Sequence, residues 1–276
     1  MLQLGLFNLL TVLRSTSVGL FLGDDEGNEV LLPNKYVPEG TLISDNIDVF
    51  VYTDSEDRPI ATNLIPTIQL HQFEVLLCKD VSEYGAFLDW GLEKDLFVPH
   101  REQREKMKVG ESYLVYLYLD ERTNRLIASS KINQFLSNDY LAVKEDDEVE
   151  LIISDKTQLG YNVIINGVHS GLLYDNEVFK PLEYAERTIG YIYKIREDKK
   201  IDVRLYKSGF AGIEDNTVLL KNTMQKNNGF LNLNDKSSAE DIYATLNISK
   251  KQFKKAVGNL LKSKELEITE TGIRLL

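Results

Sequence analysis

The stretch EYGAFLDWGLEKDLFVP, residues 83–99, decides the fold because its pattern occurs three times in the chain. An earlier stretch, SVGLFLGDDEGNEVLLP (17–33), aligns with it through a glycine, a phenylalanine and a final proline. A weaker third copy, LGYNVIINGVHSGLLY (159–174), keeps the glycine and the apolar end of the strand. The repeated glycines Gly19, Gly85 and Gly160 lie 66 and 75 positions apart. A repeat of this length is the size of a small β-barrel and is too long for the units of most solenoids.

Each copy continues in the same way, with a glycine, an apolar strand, an acidic turn and a last strand. In the middle copy these two strands are YLVYLYL and RLIASS. Short strands between Gly, Asp and Asn turns are typical of all-β barrels. The hairpin glycine, Gly85 in the middle copy, predicts a bulge or a sharp coil of the strand, and a bulge would bring Tyr84 and Phe87 onto one face. The sequence therefore predicts three small β-barrels in tandem.

The order of strands and turns resembles the S1 RNA-binding domain, a five-stranded OB-type barrel. The middle copy carries the resemblance best, through Tyr84-Gly85-Ala86-Phe87-Leu88, Leu96-Phe97-Val98 and Arg125-Leu126-Ile127-Ala128-Ser129. Where S1 domains often close the third strand with a histidine, this chain has Pro99 and then His100. The resemblance implies that a surface of this barrel binds RNA.

The C-terminal segment has the apolar spacing of helices. A first helix is predicted from about residue 216 and stops at Gly229. Ser237 with Glu240, and Ser249 with Gln252, form capping boxes that predict two further helix starts. The last helix carries lysines off its apolar stripe, and two short strands follow it. This order resembles a winged helix, in which the third helix often enters a groove of nucleic acid.

The chain is thus predicted to be mainly β with a C-terminal α+β module. Its domains are three S1-like barrels at 1–64, 65–136 and 137–212, and a winged helix at 213–276. This order of domains resembles the conserved virulence factor B family, which implies RNA binding without chemistry and a regulatory role. Two other interpretations are a protein-interaction scaffold, in which acidic barrels contact a basic partner, and a DNA-binding regulator that uses the winged helix alone.

The charge of the chain is unevenly distributed. A net charge of −11, from 32 basic and 43 acidic residues, would by itself argue against a polyanionic partner. Residues 1–63 carry three basic and ten acidic residues, whereas residues 216–276 carry ten basic and six acidic ones. The asymmetry favours nucleic-acid binding by the C-terminal part.

Cysteine content and hydropathy predict the compartment. The single Cys78 cannot form an internal disulfide, which favours the reducing cytoplasm. The apolar N-terminal stretch has no preceding basic region and no small-residue cleavage site, so we interpret it as a strand. No run is long enough to span a membrane, and no membrane partner is expected.

Motifs of the common enzyme classes are missing from the sequence. It contains no phosphate-binding loop, no H-E-x-x-H motif and no paired cysteines. His71, His100 and His169 are single histidines in separate repeats, and Cys78 lies in a strand pattern. We therefore expect no enzyme activity, no cofactor and no metal site.

Candidate RNA-binding residues combine rings with cations. Every base has a π face, so exposed rings on a barrel bind single strands with little sequence preference. The third barrel interleaves rings and basic residues in YIYKIREDKKIDVRLYK (191–207). Phe87 lies in an apolar strand, where packing in the core is the alternative role. The residues expected to contact single-stranded RNA are Tyr84, Phe87, Phe97, His100, Arg125, Tyr191, Tyr193, Lys194, Arg196, Lys199, Lys200, Lys250, Lys251, Lys254 and Lys255.

Overall fold

The computed structural model describes residues 2–178, 182–205, 213–246 and 248–276. The chain divides into two units, Met1–Leu136 and Ser137–Leu276. The first unit contains two barrels, and the second contains a barrel and a helical module. The boundary predicted at residue 212 falls outside the described residues. Among the described helices, none has both the length and the apolar character that a membrane crossing requires.

The first barrel is closed by five strands in the spatial order β1-β2-β3-β5-β4. Inward-facing residues such as Leu10, Leu22 and Val49 form its core. Parallel pairing of Leu31 with Ile60 joins the third and fifth strands and closes the barrel. The strands are β1 (Phe7–Ser15), β2 (Gly19–Gly23), β3 (Glu29–Pro33), β4 (Asn46–Thr53) and β5 (Pro59–Thr62).

The middle barrel has the same strand order but an open seam. Its strands are β6 (Phe73–Val81), β7 (Gly85–Asp89), β8 (Leu96–Pro99), β9 (Ser112–Asp120) and β10 (Arg125–Ser129). They are hydrogen-bonded in the order β10-β9-β6-β7-β8. The end strands β8 and β10 lie side by side, yet their described residues form no ladder with one another.

The third barrel is closed in the order β11-β12-β13-β15-β14. Three consecutive parallel pairs, Gly171 to Leu173 with Ile201 to Val203, close it between β13 and β15. Its strands are β11 (Glu148–Lys156), β12 (Gly160–Ile165), β13 (His169–Tyr174), β14 (Arg187–Ile195) and β15 (Ile201–Arg204). The predicted fold class, tandem five-stranded barrels in a mainly β chain, is confirmed.

The repeated glycine has a different role from the predicted one. The bulge lies in the first strand of each barrel, where the register shifts between Val12 and Arg14, Cys78 and Asp80, and Ile153 and Asp155. The prediction of a bulge at the glycine was therefore wrong.

Close approach of the facing strand explains the glycine. A Cβ atom added at Gly19, Gly85 or Gly160 would lie 2.1, 2.2 or 2.0 Å from a backbone carbonyl oxygen of the facing strand. Such distances are far below van der Waals contact, so only glycine allows the two strands of the hairpin to pair.

An aromatic contact joins the first two barrels. Strand β4 alternates between Val49 and Val51, which face its own barrel, and Phe50 and Tyr52, which join the core of the middle barrel. The ring of Trp90 meets the rings of Phe50 and Tyr52 edge-on, with centroids 5.8 and 6.1 Å apart. Phe50 and Tyr52 of the first barrel therefore complete the apolar core of the middle barrel, while the first barrel keeps a core of its own.

The C-terminal module is a winged helix with three helices and a small sheet. Its sheet has the order β16-β18-β17. Apolar residues that include Leu220, Met224, Ile242, Phe253 and Leu260 form its core. The elements are α1 (Ile213–Lys226), β16 (Phe230–Leu231), α2 (Ala239–Leu246), α3 (Lys250–Lys262), β17 (Leu266–Ile268) and β18 (Ile273–Leu275).

The helix ends follow the capping rules with one exception. At Gly229 the backbone has a φ of +78° and its N–H donates to Met224 O, which ends α1. The predicted capping box of Ser249 and Gln252 is confirmed. The box predicted at Ser237 is wrong, because Ser238 Oγ accepts the Asp241 N–H at 3.0 Å and caps α2 one residue later. Ser237 Oγ instead accepts the Asn234 N–H.

Candidate nucleic-acid interface

A groove of about 440 Å³ lies where the first barrel meets the open side of the middle barrel. The middle barrel contributes ring and aliphatic side chains, and the first barrel contributes the end of β4 and the turn that follows it. The lining residues are Tyr52, Thr53, Ser55, Asp57, Tyr84, Phe87, Trp90, Lys94, Asp95, Leu96, Phe97, Arg125, Leu126 and Ile127. Four sequence-predicted residues therefore lie together: Tyr84, Phe87, Phe97 and Arg125.

Three rings of the middle barrel form a surface on which a flat molecule can stack. Phe87 and Phe97 pair across β7 and β8, with ring centroids 5.2 Å apart and planes tilted by 37°. Both rings are half-buried, and Tyr84 beside them is 70% exposed. Phe87 points into the groove and is absent from the barrel core, because strand alternation sends Ala86 and Leu88 inward.

Buried rings support the groove from below. Trp90 is only 3% exposed, and its indole N–H donates to Lys94 O at 2.6 Å. Tyr52 is equally buried, and this burial raises the pKa of its phenol to about 12. The Trp90 hydrogen bond fixes the hairpin that carries Lys94, so the position of this cation depends on the aromatic contact between the barrels.

The cations of the groove are held by one carboxylate. Arg125 forms an ion pair with Asp57, and Lys94 Nζ lies 3.3 Å from the other oxygen of the same carboxylate. Lys94 Nζ also donates to Asp54 O at 2.6 Å. Arg125 lies on β10 and Asp57 lies in the turn between β4 and β5, so this contact spans the two barrels.

The histidines lie outside the groove lining. His100 is exposed, and its backbone N–H donates to Tyr84 O at 3.2 Å. His169 is buried between Ser137 O and the Ala142 N–H, and His71 Nδ1 lies 3.1 Å from the Tyr116 hydroxyl. The described residues include no group of three or more His, Cys, Asp or Glu side chains suited to a metal ion. Burial raises the pKa of the Cys78 thiol, which disfavours the reactive thiolate.

In the third barrel, most of the predicted cations are paired with carboxylates. Arg196 makes two hydrogen bonds to Asp202, of 2.9 and 2.7 Å. Lys199 and Lys200 have carboxylate partners in Asp139 and Asp198, respectively. The two hydrogen bonds hold the Arg196 guanidinium against Asp202, whereas the exposed pairs of Lys199 and Lys200 are weak and leave both ammonium groups open to a phosphate.

Two other predicted residues of the third barrel remain accessible. Tyr193 is 55% exposed, with the Arg204 guanidinium 5.2 Å from its ring centre. Lys194 is exposed and has no carboxylate partner among the described residues. The Tyr191 hydroxyl, by contrast, donates to Glu148 at 2.9 Å. Tyr206 and Lys207, at the end of the same basic stretch, lie outside the described residues.

The lysines of α3, like Lys194, are not neutralised by described carboxylates. Lys251, Lys254 and Lys255 are exposed, and Lys250 is half-buried. None of the four forms an ion pair with a described carboxylate. The buried face of the helix holds Phe253, Ala256, Val257 and Leu260. The lysines therefore present their charge to solvent on the opposite side.

Sequence reasoning missed the contribution of the first barrel to the groove. Asp57 and Lys94 belong to different barrels, and Asp57 and Arg125 are 68 positions apart. The aspartate turn after β4 was visible in the sequence, but no local pattern indicates which distant cation such a turn will meet.

Comparison with known protein families agrees with the folds described above. Residues 4–64 and 72–131 each match the S1 domain, and residues 218–275 match the CvfB-like winged helix domain. The third barrel lies outside the S1 matches, although its strand order is the same.

Several proteins are similar to this chain over most of its length. The protein YitL of Bacillus subtilis is 28% identical over 268 residues, covering 92% of this chain and 87% of YitL. Conserved virulence factor B of Staphylococcus aureus (strain N315) is 24% identical over 244 residues, covering 83% of this chain and 79% of its own. A solved structure of a multidomain protein with nucleic acid binding domains from Streptococcus pneumoniae is 24% identical, with a TM-score of 0.42, and the match covers 99% of this chain and 98% of that one.

Proposed function

This chain belongs to the conserved virulence factor B family, and from that premise we propose that it is a non-enzymatic protein that binds single-stranded RNA. The bases stack on rings of the middle barrel, and cations of the barrels and of α3 contact the phosphates. The protein needs no cofactor for this role, which it performs in the cytoplasm as a post-transcriptional or virulence-type regulator.

The observation that carries the proposal is the ring surface in the groove. Phe87, Phe97 and the exposed Tyr84 lie together with Arg125 at the edge of an S1 barrel. Stacking of a base on an aromatic side chain contributes about 1–3 kcal/mol and tolerates any base. Two stacked bases would thus supply about 2–6 kcal/mol, a large share of the roughly 8 kcal/mol that micromolar binding requires.

The lysines of α3 support a second contact with the nucleic-acid backbone. Their charges are not neutralised by described carboxylates, so each lysine can contact a phosphate and release counterions. Binding through rings and lysines on one chain would increase affinity through the high effective concentration of the second site. The same lysines would favour duplex DNA if the winged helix acted alone, and a duplex competitor distinguishes the two cases.

The first barrel is the least suited to phosphate contacts. All three of its basic residues are paired with carboxylates: Arg14 with Glu29, Lys35 with Glu93, and Arg58 with Asp54. The acids of this barrel also outnumber its cations, so its net charge repels phosphate. We propose that this barrel supports the groove of its neighbour and leaves direct RNA contact to the middle barrel.

A labelled oligonucleotide tests the proposal directly. The full chain and the Phe97→Ala variant are titrated with a fluorescent twelve-nucleotide oligouridine between 50 and 300 mM salt. Loss of one stacked base predicts weakening by about fivefold to 150-fold for Phe97→Ala. Tyr140→Ala is the matched control, since this ring is 92% exposed and lies outside the groove.

The same titration identifies the outcomes that would contradict the proposal. Binding of the oligouridine that is unchanged between 50 and 300 mM salt would exclude phosphate contacts. Equal affinities of Phe97→Ala and the wild type would exclude the ring surface. Preference for duplex DNA over the oligouridine would favour the winged-helix regulator instead. His100→Ala, tested in parallel, shows whether contacts extend beyond the groove to this predicted residue.

A further inference from the structure

We propose that Lys94 and Arg125 form a phosphate subsite in the groove and that Asp57 of the first barrel occupies this subsite in the free protein. The inference rests on the proposed function and deepens it, because it assigns a place to the RNA backbone and a device that controls access to it. One carboxylate bridges both cations, with Lys94 Nζ 3.3 Å from one oxygen and Arg125 bound to the other.

The carboxylate stands in for a phosphate in both charge and geometry. It presents two oxygens to two cations at the rim of a groove whose floor is aromatic. A guanidinium and an ammonium that converge on two oxygens are equally suited to the non-bridging oxygens of a phosphodiester. A base stacked on Phe87 or Phe97 would bring its own phosphate toward the position that Asp57 holds, so carboxylate and phosphate compete.

The turn between β4 and β5 is built to hold Asp57 in this place. Asp54 Oδ1 accepts the backbone N–H groups of Glu56 and Arg58, at 2.9 and 3.0 Å. The Asp57 N–H donates to Asp54 O at 3.0 Å, and Asp57 has a φ of +63°. Asp and Asn adopt this left-handed conformation more readily than most residues, although Lys199 has it in the equivalent turn of the third barrel.

The other charges of the turn point away from the subsite. The Arg58 guanidinium is bound to Asp54 Oδ2 and lies 2.9 Å from Glu56. Glu56 does not line the groove, and neither does Arg58. The Asp95 carboxylate lines the groove but is paired with Lys79 at 3.0 Å. Asp57 is therefore the groove-lining acid that faces both cations.

Exposure of the three side chains makes this contact displaceable. Arg125 is 54% exposed, and Lys94 and Asp57 are 36% and 34% exposed. Ion pairs open to solvent are weak and screened by salt, whereas a nucleic-acid strand brings several phosphates at once. The carboxylate consequently lowers affinity by a modest factor and discriminates against weak or short ligands without blocking the groove.

Binding of the oligouridine by Asp57→Asn tests the inference. Asparagine keeps the size and the left-handed conformation of the turn while it removes the charge. Glu56→Gln is the matched control, because it removes the same charge one residue away and outside the groove. The measurement is fluorescence anisotropy of the full chain with the twelve-nucleotide oligouridine, from 50 to 300 mM salt.

The expected result is an increase in affinity that is specific to Asp57→Asn. At 50 mM salt it binds about twofold to fivefold more tightly than the wild type, the factor that corresponds to an exposed ion pair. The slope of log affinity against log salt becomes steeper by about 0.7 for each additional phosphate that the protein binds. Glu56→Gln stays close to the wild type, and adding Arg125→Gln to Asp57→Asn abolishes the increase in affinity.

Each other outcome overturns the inference in a distinguishable way. If the wild type binds and Asp57→Asn matches Glu56→Gln, the subsite is wrong and the proposed function stands. Weaker binding by Asp57→Asn would mean that Asp57 only orients Arg125, which also refutes competition. If neither the wild type nor Asp57→Asn binds the oligouridine at any salt concentration, the proposed function fails and this inference fails with it.

Discussion

Replacing Trp90 by alanine should separate the two barrels of the first unit. Trp90 is the single tryptophan of the chain, and it lies between Phe50 and Tyr52 on one side and the hairpin of Lys94 on the other. The Trp90→Ala change removes both edge-on ring contacts and the indole hydrogen bond at once. We expect loss of stability in the first unit together with loss of the groove.

The expected loss of stability in Trp90→Ala follows from the burial of the indole ring and from its hydrogen bond. An aromatic side chain that buries about 200 Å² contributes about 5 kcal/mol at 25 cal/mol per Å². Alanine retains part of this stabilisation, and truncations of this kind cost about 3–5 kcal/mol in practice. The unpaired Lys94 carbonyl adds about 1 kcal/mol. The expected loss for Trp90→Ala is therefore about 4–6 kcal/mol, and for Trp90→Phe, which keeps a ring, about 1–2 kcal/mol.

Hydrogen exchange in increasing urea measures this loss peptide by peptide. Peptides from residues 2–136 should lose protection at lower urea in Trp90→Ala than in the wild type, with Trp90→Phe between them. Peptides from residues 137–276 serve as the internal control. A loss below about 1 kcal/mol in the first unit, or an equal loss in the second, would show that Trp90 does not hold the barrels together.

Four further predictions concern other parts of the chain. In the Lys254→Ala, Lys255→Ala double variant, the slope of log oligouridine affinity against log salt should become shallower by about 0.7 for each phosphate that is no longer bound. An unchanged slope would place α3 outside the interface. Gly258→Ala should stabilise α3 by about 1 kcal/mol in thermal unfolding, since open space surrounds a Cβ atom there. Gly160→Ala should instead destabilise the third barrel by about 3 kcal/mol or more in the same assay, because its Cβ atom would lie 2.0 Å from Leu173 O. The pKa of Tyr52 is raised from 10.0 to about 12 in the folded state, so the neutral phenol stabilises the fold fully below pH 10 and this stabilisation is lost between pH 10 and 12. The Tyr52→Phe variant should lose less stability over this range. Urea unfolding followed by Trp90 fluorescence measures the difference.

The architecture was predictable because it depends on local patterns that occur repeatedly. The glycine of each copy, the alternation of apolar residues and the capping box at Ser249 are short-range signals, and each led to the correct element. The errors were also local. Ser237 and Ser238 both precede an acidic residue by three positions, so the sequence permitted two caps, and the structure uses the second.

The physical role of the repeated glycine was harder to predict than its presence. A glycine in a strand is compatible with a bulge or with close approach of another backbone, and both give the same sequence signal. Only the facing strand decides between them, since the Val98 carbonyl stands 2.2 Å from the place of a Cβ atom at Gly85. The consequence for the site is that Tyr84 precedes β7 and reaches the groove without any bulge in that strand.

The charge of the first barrel shows why composition alone could not locate the site. By its count of three basic and ten acidic residues, the first barrel should repel phosphate unless its acids lie on the opposite face. That count treats the acids as one diffuse field. The structure places Asp57 against the two cations that line the groove of the neighbouring barrel, so one acid acts at short range on one site. Coulomb energies fall with distance and are screened within about 10 Å at 0.1 M salt, so this single contact outweighs the remote acids at that site. Under the proposed competition, an acidic domain belongs to the nucleic-acid interface as the part that controls it, and its contribution to binding is measured by removing that one charge.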